Sequence, residues 1–289
     1  MESQENQYRW PKAEAVYPDR PGRSYTLKRL RYRLRAFLHR GLIAQFEQFI
    51  NQHPFLVTLL NEHADYSYPL VYRFLDKRFN RKQRFQAICD NLLFLPKKLT
   101  ALSAPIYKTS LSFGEVIPDF EMTLSMTTHQ PMEGYWVLEL WHKPRNELVY
   151  LLTFAKLGEA LLISVVQGPN FEGSKEMVKQ LTKTCYGLRP AYLMVETMKA
   201  LTKVLGFNQL LGIPQKYQNK SRFIQSSHYV VDYDAIFAES GGQLKDYWEL
   251  PLEIDRNLDD VPSKKRSMYR KRYAMLDDLA KVIEEKLEL

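Results

Sequence analysis

Alternation of apolar and polar positions is sharpest at Phe120–Thr127, where Phe120, Met122, Leu124 and Met126 interleave with Glu121, Thr123, Ser125 and Thr127. This period of two predicts a strand with one polar face. Three further strands are predicted at Tyr135–His142, Glu147–Leu157 and Ala160–Gln167, joined through Lys143-Pro144-Arg145-Asn146 and Gly158-Glu159. Connections this short join antiparallel neighbours, so the segment reads as a meander. The last two strands are apolar on both faces, which predicts that both faces are covered.

Helical spacing takes over beyond the Gly168–Asn170 turn. Ser174 is placed to cap a helix that ends at Gly187, and Pro190 opens a second, with a stripe of Leu193, Met194, Thr197, Leu201, Val204 and Leu205 closed by Gly206. A short strand at Leu210–Ile213 follows, then a polar stretch at Gln215–Ser227, a helix at Asp232–Glu239, a strand at Asp246–Leu252 and a terminal helix. Upstream, residues 1–24 read as an extended polar lead-in. Ser24 is the expected cap of a helix on which Leu27, Leu30, Leu34, Phe37 and Leu38 recur at i, i+3, i+7, i+10 and i+11. Helical pattern continues at Leu42–Ile50, on to Leu60, at Pro69–Phe79 and at Arg81–Phe94. The proline-punctuated Lys97–Pro118 reads as a connector with one strand at Ile106–Phe113. The fold class is therefore α+β: a helical N-terminal region over 1–100, then a mixed, mostly antiparallel sheet carrying helices over 101–289. The boundary separates either two layers of one domain or two domains.

Charge sharpens this picture. The 289 residues carry a formal net charge of +8, which favours acidic partners. Lys28, Arg29, Arg31, Arg33, Arg35 and Arg40 fall within thirteen residues, and Lys264, Lys265, Arg266, Arg270, Lys271 and Arg272 form a second cluster; Tyr32, Tyr269 and Tyr273 interleave with them. A basic amphipathic helix suits an anionic membrane surface or nucleic-acid phosphates. The alternatives are a solvated basic face on a helix docked to its own domain, or ion pairs with acids such as Asp255, Asp259 and Asp260. No nucleic-acid module accompanies the clusters, which argues against sequence-specific base reading. Met1–Arg9 is polar, and the longest aliphatic run, Ala160–Val166, is far below the length of a membrane span. With only Cys89 and Cys185 there is no disulfide framework. The expected location is cytoplasmic, with room for peripheral contact at the inner membrane.

Several chemistries are not written in the chain. His39, His53, His63, His129, His142 and His228 form no HxH, HExxH or Cys-His pairing, and GxSxG, GxGxxG and P-loop patterns are missing. The most distinctive patch is Gln167-Gly168-Pro169, followed by Thr182-Lys183 and Gly187-Leu188-Arg189-Pro190. A helix N-terminus at Pro190 with Arg189 and Lys183 beside it would suit an anion or phosphate. A plain helix–helix corner with two surface cations is the alternative.

These landmarks, with Tyr233-Asp234, Glu239, Gly241-Gly242, Tyr247–Pro251, Val261-Pro262-Ser263-Lys264-Lys265-Arg266, Tyr269-Arg270 and Arg272-Tyr273, resemble the VirK/YbjX-like bacterial proteins. The resemblance implies a Gram-negative protein linked to envelope stress, virulence or resistance to cationic antimicrobial peptides, and no established reaction. Asp90-Asn91 stands where the resemblance implies a His-Tyr pair. The order of elements also resembles the fold of GNAT-type acyl-CoA N-acyltransferases. That resemblance implies acyl-CoA as cofactor, with its pyrophosphate on backbone N–H groups at Gln167–Ser174 or Lys183–Pro190. Gln167, Gly168, Lys183, Gly187 and Arg189 would then bind it, and Glu139, His142 and Tyr233 would be the nearest acid–base groups. Each of these residues also has an ordinary structural role as its alternative.

Overall fold

The computed structural model describes residues 7–127, 130–219, 231–259 and 261–287. His129, His228, Asp260 and most of the polar stretch after Gln215 lie outside them.

The lead-in is structured rather than extended. Tyr8, Ala13 and Val16 are buried, and Ala13–Val16 forms a short helix, α1. Tyr8 donates its backbone N–H to Asn51 Oδ1 at 2.8 Å, and the Tyr8 and Ser67 hydroxyls are 2.7 Å apart. Trp10 stacks on Tyr32 with ring centroids 6.0 Å apart. Aromatic residues spaced too irregularly to show a period tie this segment down.

Helix α2 (Thr26–Leu38) begins after Tyr25, not Ser24, whose hydroxyl reaches only Thr26. It packs through the face opposite its apolar stripe, so the alternative of a helix docked to its own domain through that stripe does not hold. Tyr32 is its one buried residue, donating its hydroxyl to Pro11 O at 2.8 Å. Arg29 donates to Tyr17 O, and Arg35 donates to Tyr68 Oη at 2.6 Å. Leu27, Leu30, Leu34, Phe37 and Leu38 are each more than half exposed.

Helices α3 (Arg40–Asn51), α4 (Pro54–Glu62) and α5 (Tyr68–Val71) follow. The helix expected over Pro69–Phe79 stops at Val71. Leu75 takes φ +53° with its N–H on Met132 O, and Asp76 accepts the Arg78 N–H, a local side-chain bond that competes with helix. Asn80 and Gln83 form a capping box for α6 (Arg81–Lys98), which runs past Phe94 and carries Pro96 in its last turn.

The sheet comprises β1 (Leu111–Ile117), β2 (Phe120–Met126), β3 (Trp136–His142), β4 (Glu147–Leu157) and β5 (Ala160–Gln167). After α7 (Ser174–Thr184) and α8 (Pro190–Val204) come β6 (Leu210–Gly212), α9 (Tyr233–Glu239), β7 (Gln243–Leu244), β8 (Trp248–Leu250) and α10 (Ser263–Leu287). Strand order is β1-β2-β3-β4-β5-β6-β8-β7, and among the described residues only β5 and β6 run parallel. The protein is thus α+β, with a helical N-terminal region preceding a mostly antiparallel sheet. The strand expected at Ile106–Phe113 starts later, because Pro105 accepts the N–H groups of Lys108 and Thr109 and turns that stretch. Gly173 at φ +80°, not Ser174, caps α7, whereas Asp232 does cap α9 through Ala235 N–H.

Asn91 fastens α6 to the sheet. Its Nδ2 donates to Ala87 O and Lys156 O, both at 2.8 Å, and its Oδ1 accepts Lys156 N–H at 2.7 Å. The Asn91 carbonyl also accepts Trp136 Nε1–H at 3.0 Å. A fully buried carboxamide satisfied in this way fixes one arrangement of helix on strand. Bonds from Asn91 to Trp136 and Lys156, and from Arg73 to Asn219, cross residue 100. No helix among the described residues is long and apolar enough to cross a membrane.

Candidate functional site

The parallel pair opens along its length. Leu161, Leu162 and Ile163 pair with Leu210, Leu211 and Gly212, and Ile213 N–H reaches Ile163 O at 3.0 Å. Beyond that point β5 continues to Gln167, while the chain after β6 turns at Pro214 into Gln215–Tyr217. In the gap, Gln218 Nε2 donates to Ser164 O at 3.1 Å. Gln167 is exposed at the mouth, and a Cβ on Gly168 would stand 3.1 Å from the Tyr150 ring, so the chain passes close over that tyrosine and a side chain there would have to push the ring aside by a few tenths of an ångström. The Gly168–Gly173 connection then delivers the chain to the N-terminus of α7.

Polar groups converge on the segment after β6. Asp234 Oδ1 accepts Gln215 N–H at 3.1 Å and Trp248 Nε1–H at 2.7 Å, and Gln215 Oε1 accepts Tyr233 N–H at 3.1 Å. From the other side, Arg78 stacks 3.7 Å from the Tyr217 ring centroid while binding the buried Asp76 carboxylate through Nε and Nη2. Burial, reinforced by the neighbouring Asp76, pushes the Tyr247 hydroxyl well above the ordinary phenol range. No period or motif marks Asp76, Arg78 or Tyr217 in the chain; for the first two the one signal is the Asp76-Lys77-Arg78 alternation of charge.

The Gly187–Pro190 patch is a corner where distant landmarks meet. Arg189 precedes α8 and donates to Glu239 and, at 2.9 Å, to Tyr192 Oη. Lys199 on the same helix donates to Glu196 at 2.8 Å and to Ser240 O at 3.0 Å, holding the end of α9. Arg272 of α10 donates to Tyr186 O beside Gly187, whose φ is +77°. Lys183 is exposed in the last turn of α7. Arg189 thus already has a carboxylate partner.

The three acid–base candidates do not converge. Strand alternation sends Glu139 and His142 to opposite faces of β3. Glu139 is buried and accepts Trp141 Nε1–H at 3.3 Å; His142 lies against Phe120, ring centroids 5.0 Å apart. Tyr233 is buried at the start of α9, where its backbone N–H reaches Gln215 Oε1 in the segment after β6. Elsewhere, a cleft of about 530 Å³ lies between α8 and α10. Lys203 with Glu253 and Arg256 with Asp277 line it as ion pairs, and none of the predicted site residues does.

Comparison with known proteins gives the family. The family described as "Protein of unknown function (DUF535)" matches residues 21–285. An uncharacterized protein of Haemophilus influenzae is 80% identical over 282 residues, 98% of this chain and 97% of that protein. "Membrane protein LapB" of Mannheimia haemolytica is 65% identical over 216 residues, covering 75% of this chain and 96% of that protein. YbjX of Escherichia coli is 24% identical over 279 residues, covering 89% and 83%. No solved structure matches. The chain belongs to the DUF535 family, the VirK/YbjX-like group whose landmarks it carries.

Proposed function

We propose that this chain is an acyl-CoA-dependent transferase serving the bacterial envelope, and that it takes up the acyl donor where β5 and β6 part. The observation that carries this reading is the one parallel pair in an otherwise antiparallel sheet, which opens beyond Ile163 and leads from β5 into the α7 N-terminus. Among the described residues, no strand pairs with Val165–Gln167 on the β6 side. An opened strand edge offers N–H and C=O groups to an extended ligand that carries amides. The pantetheine arm of coenzyme A is such a ligand. Gln218, a side-chain carboxamide on Ser164 O, holds the place an incoming amide would take, so uptake displaces it. With the Ser174 N–H held by Phe171 O, it is the following N–H groups of the first turn of α7, at Lys175 and Glu176, that suit the pyrophosphate. Arg189, engaged by Glu239, contributes to the corner rather than to this contact. Of the acid–base candidates, Tyr233 is the one tied to the segment after β6, through its N–H on Gln215 Oε1.

The envelope part rests on the relative named "Membrane protein LapB" and on the VirK/YbjX resemblance. The test is thermal unfolding with acetyl-CoA, longer acyl-CoAs and free acyl chains. Ligand at a hundred times its dissociation constant adds about 2.7 kcal/mol, a readily measured shift. A shift with acyl-CoA but not with free acyl chains supports the reading; no shift with any acyl-CoA overturns it.

A further inference from the structure

Helix α2 presents its apolar stripe outward. Of the six large hydrophobic side chains that stand exposed among the described residues, five are Leu27, Leu30, Leu34, Phe37 and Leu38; Phe37 is 66% exposed. They cover about 100° of the helix circumference, directly opposite the buried Tyr32. An amphipathic helix with only its own domain to serve would turn that stripe inward. Here the inward side is instead held by directional bonds: Tyr32 Oη to Pro11 O, Arg29 to Tyr17 O, and Arg35 to Tyr68 Oη with its guanidinium 4.0 Å from the Tyr72 ring centroid. The orientation is therefore built into the fold.

The margins of the stripe are cationic. Thr26–Arg40 holds six Lys and Arg and no Asp or Glu. Helical spacing puts Arg31 along one side and Arg33 along the other, and the Arg40 guanidinium lies 5.7 Å from the Phe37 ring centroid. Among the described residues, Lys28, Arg31 and Arg40 have no carboxylate within salt-bridge distance, whereas Arg29 and Arg33 pair with Asp19 and Glu14. Leu and Phe between arginines is the chemistry of a helix lying in a bilayer interface, its apolar side chains among acyl chains and its cations on lipid phosphates. A second copy of α2 would bring like charges together, and a nucleic-acid backbone would leave the leucines in water.

We infer that α2 is a membrane-docking helix that seats this protein on an anionic lipid surface by inserting Leu27, Leu30, Leu34, Phe37 and Leu38. The inference stands independently of the acyl-transfer reading. The test is co-sedimentation of the full chain with vesicles containing phosphatidylglycerol, against vesicles of phosphatidylcholine alone. Preferential binding to the anionic vesicles is expected, weakening with salt and falling about tenfold or more in the double variant Leu30→Asp, Leu34→Asp. Arg31→Glu, which leaves the stripe intact, should reduce binding to the anionic vesicles. Circular dichroism verifies that both variants fold. Equal binding to both vesicle types, or unchanged binding by the aspartate variant, overturns the inference. So does a parent dimer that this variant converts to monomer, because the stripe then serves a second copy.

Discussion

Arg272 and Tyr186 are 86 residues apart, and the guanidinium donates Nε–H at 3.2 Å and Nη2–H at 2.8 Å to the tyrosine carbonyl. This fork fixes α10 on the end of α7, where Tyr186 and Gly187 both take positive φ. Hydrogen bonds from a charged group contribute about 1.5–3 kcal/mol, so Arg272→Ala should destabilise by about that much in denaturant unfolding. Arg272→Lys should recover only part, since an ammonium lacks the fork. Gly187→Ala should cost about 1–2 kcal/mol from backbone alone, and its Cβ would also meet Arg272 Nη2 at 3.2 Å.

Lys199 is buried, and its ammonium is shared by Glu196 and the Ser240 carbonyl. Removing one partner of a buried pair leaves an uncompensated charge and costs about 3–5 kcal/mol. Lys199→Ala should therefore lower the urea midpoint strongly. The double variant Glu196→Gln, Lys199→Met should lie much closer to the parent, because no lone charge remains.

Gly212 closes β6 against α9. A Cβ there would fall 2.7 Å from the Phe237 ring. Gly212→Ala should destabilise by about 1–3 kcal/mol through overpacking, and Phe237→Leu should partly rescue it in the double variant, as measured by thermal unfolding.

Burial pushes the Cys89 and Cys185 thiols up to about 12. Both should stay protonated and unreactive towards iodoacetamide at pH 8 in the folded chain, and react once it is unfolded in urea. A folded pKa raised above its unfolded value contributes stability that is complete below the unfolded pKa and is lost as pH rises towards the folded one. Stability should thus fall between about pH 8.5 and 12. The buried hydroxyls of Tyr8, Tyr66 and Tyr135, also raised by desolvation, act in the same direction from about pH 10 upward. Urea midpoints measured across this range check the sign.

The sheet was legible because its strands carry their own pattern: β2 alternates, and β4 and β5 are apolar runs ended by Gly158 and Gly168. Pro190, Gly206 and Asp232 marked helix ends for reasons that hold locally. What escaped depends on partners far along the chain. The helix after Pro69 stops because Leu75 bonds Met132 and Asp76 turns back on Arg78. The stripe on α2 left open whether that face packs on its own domain, and the bonds of Tyr32, Arg29 and Arg35, made to partners elsewhere in the chain, decide that the opposite face goes in. At the candidate site, Gln167, Gly168 and Tyr233 stood out by their place in the chain. Gln218, Asp76 and Arg78 did not, since their pairing is set by how the segment after β6 docks.

Hydrogen exchange with and without a long-chain acyl-CoA reports directly on whether the donor enters where β5 and β6 part. Uptake there should add protection over Val165–Gln167 and the first turn of α7, with faster exchange of the Gln218 segment as its carboxamide leaves Ser164 O. Unchanged exchange at both places at saturating ligand would contradict it.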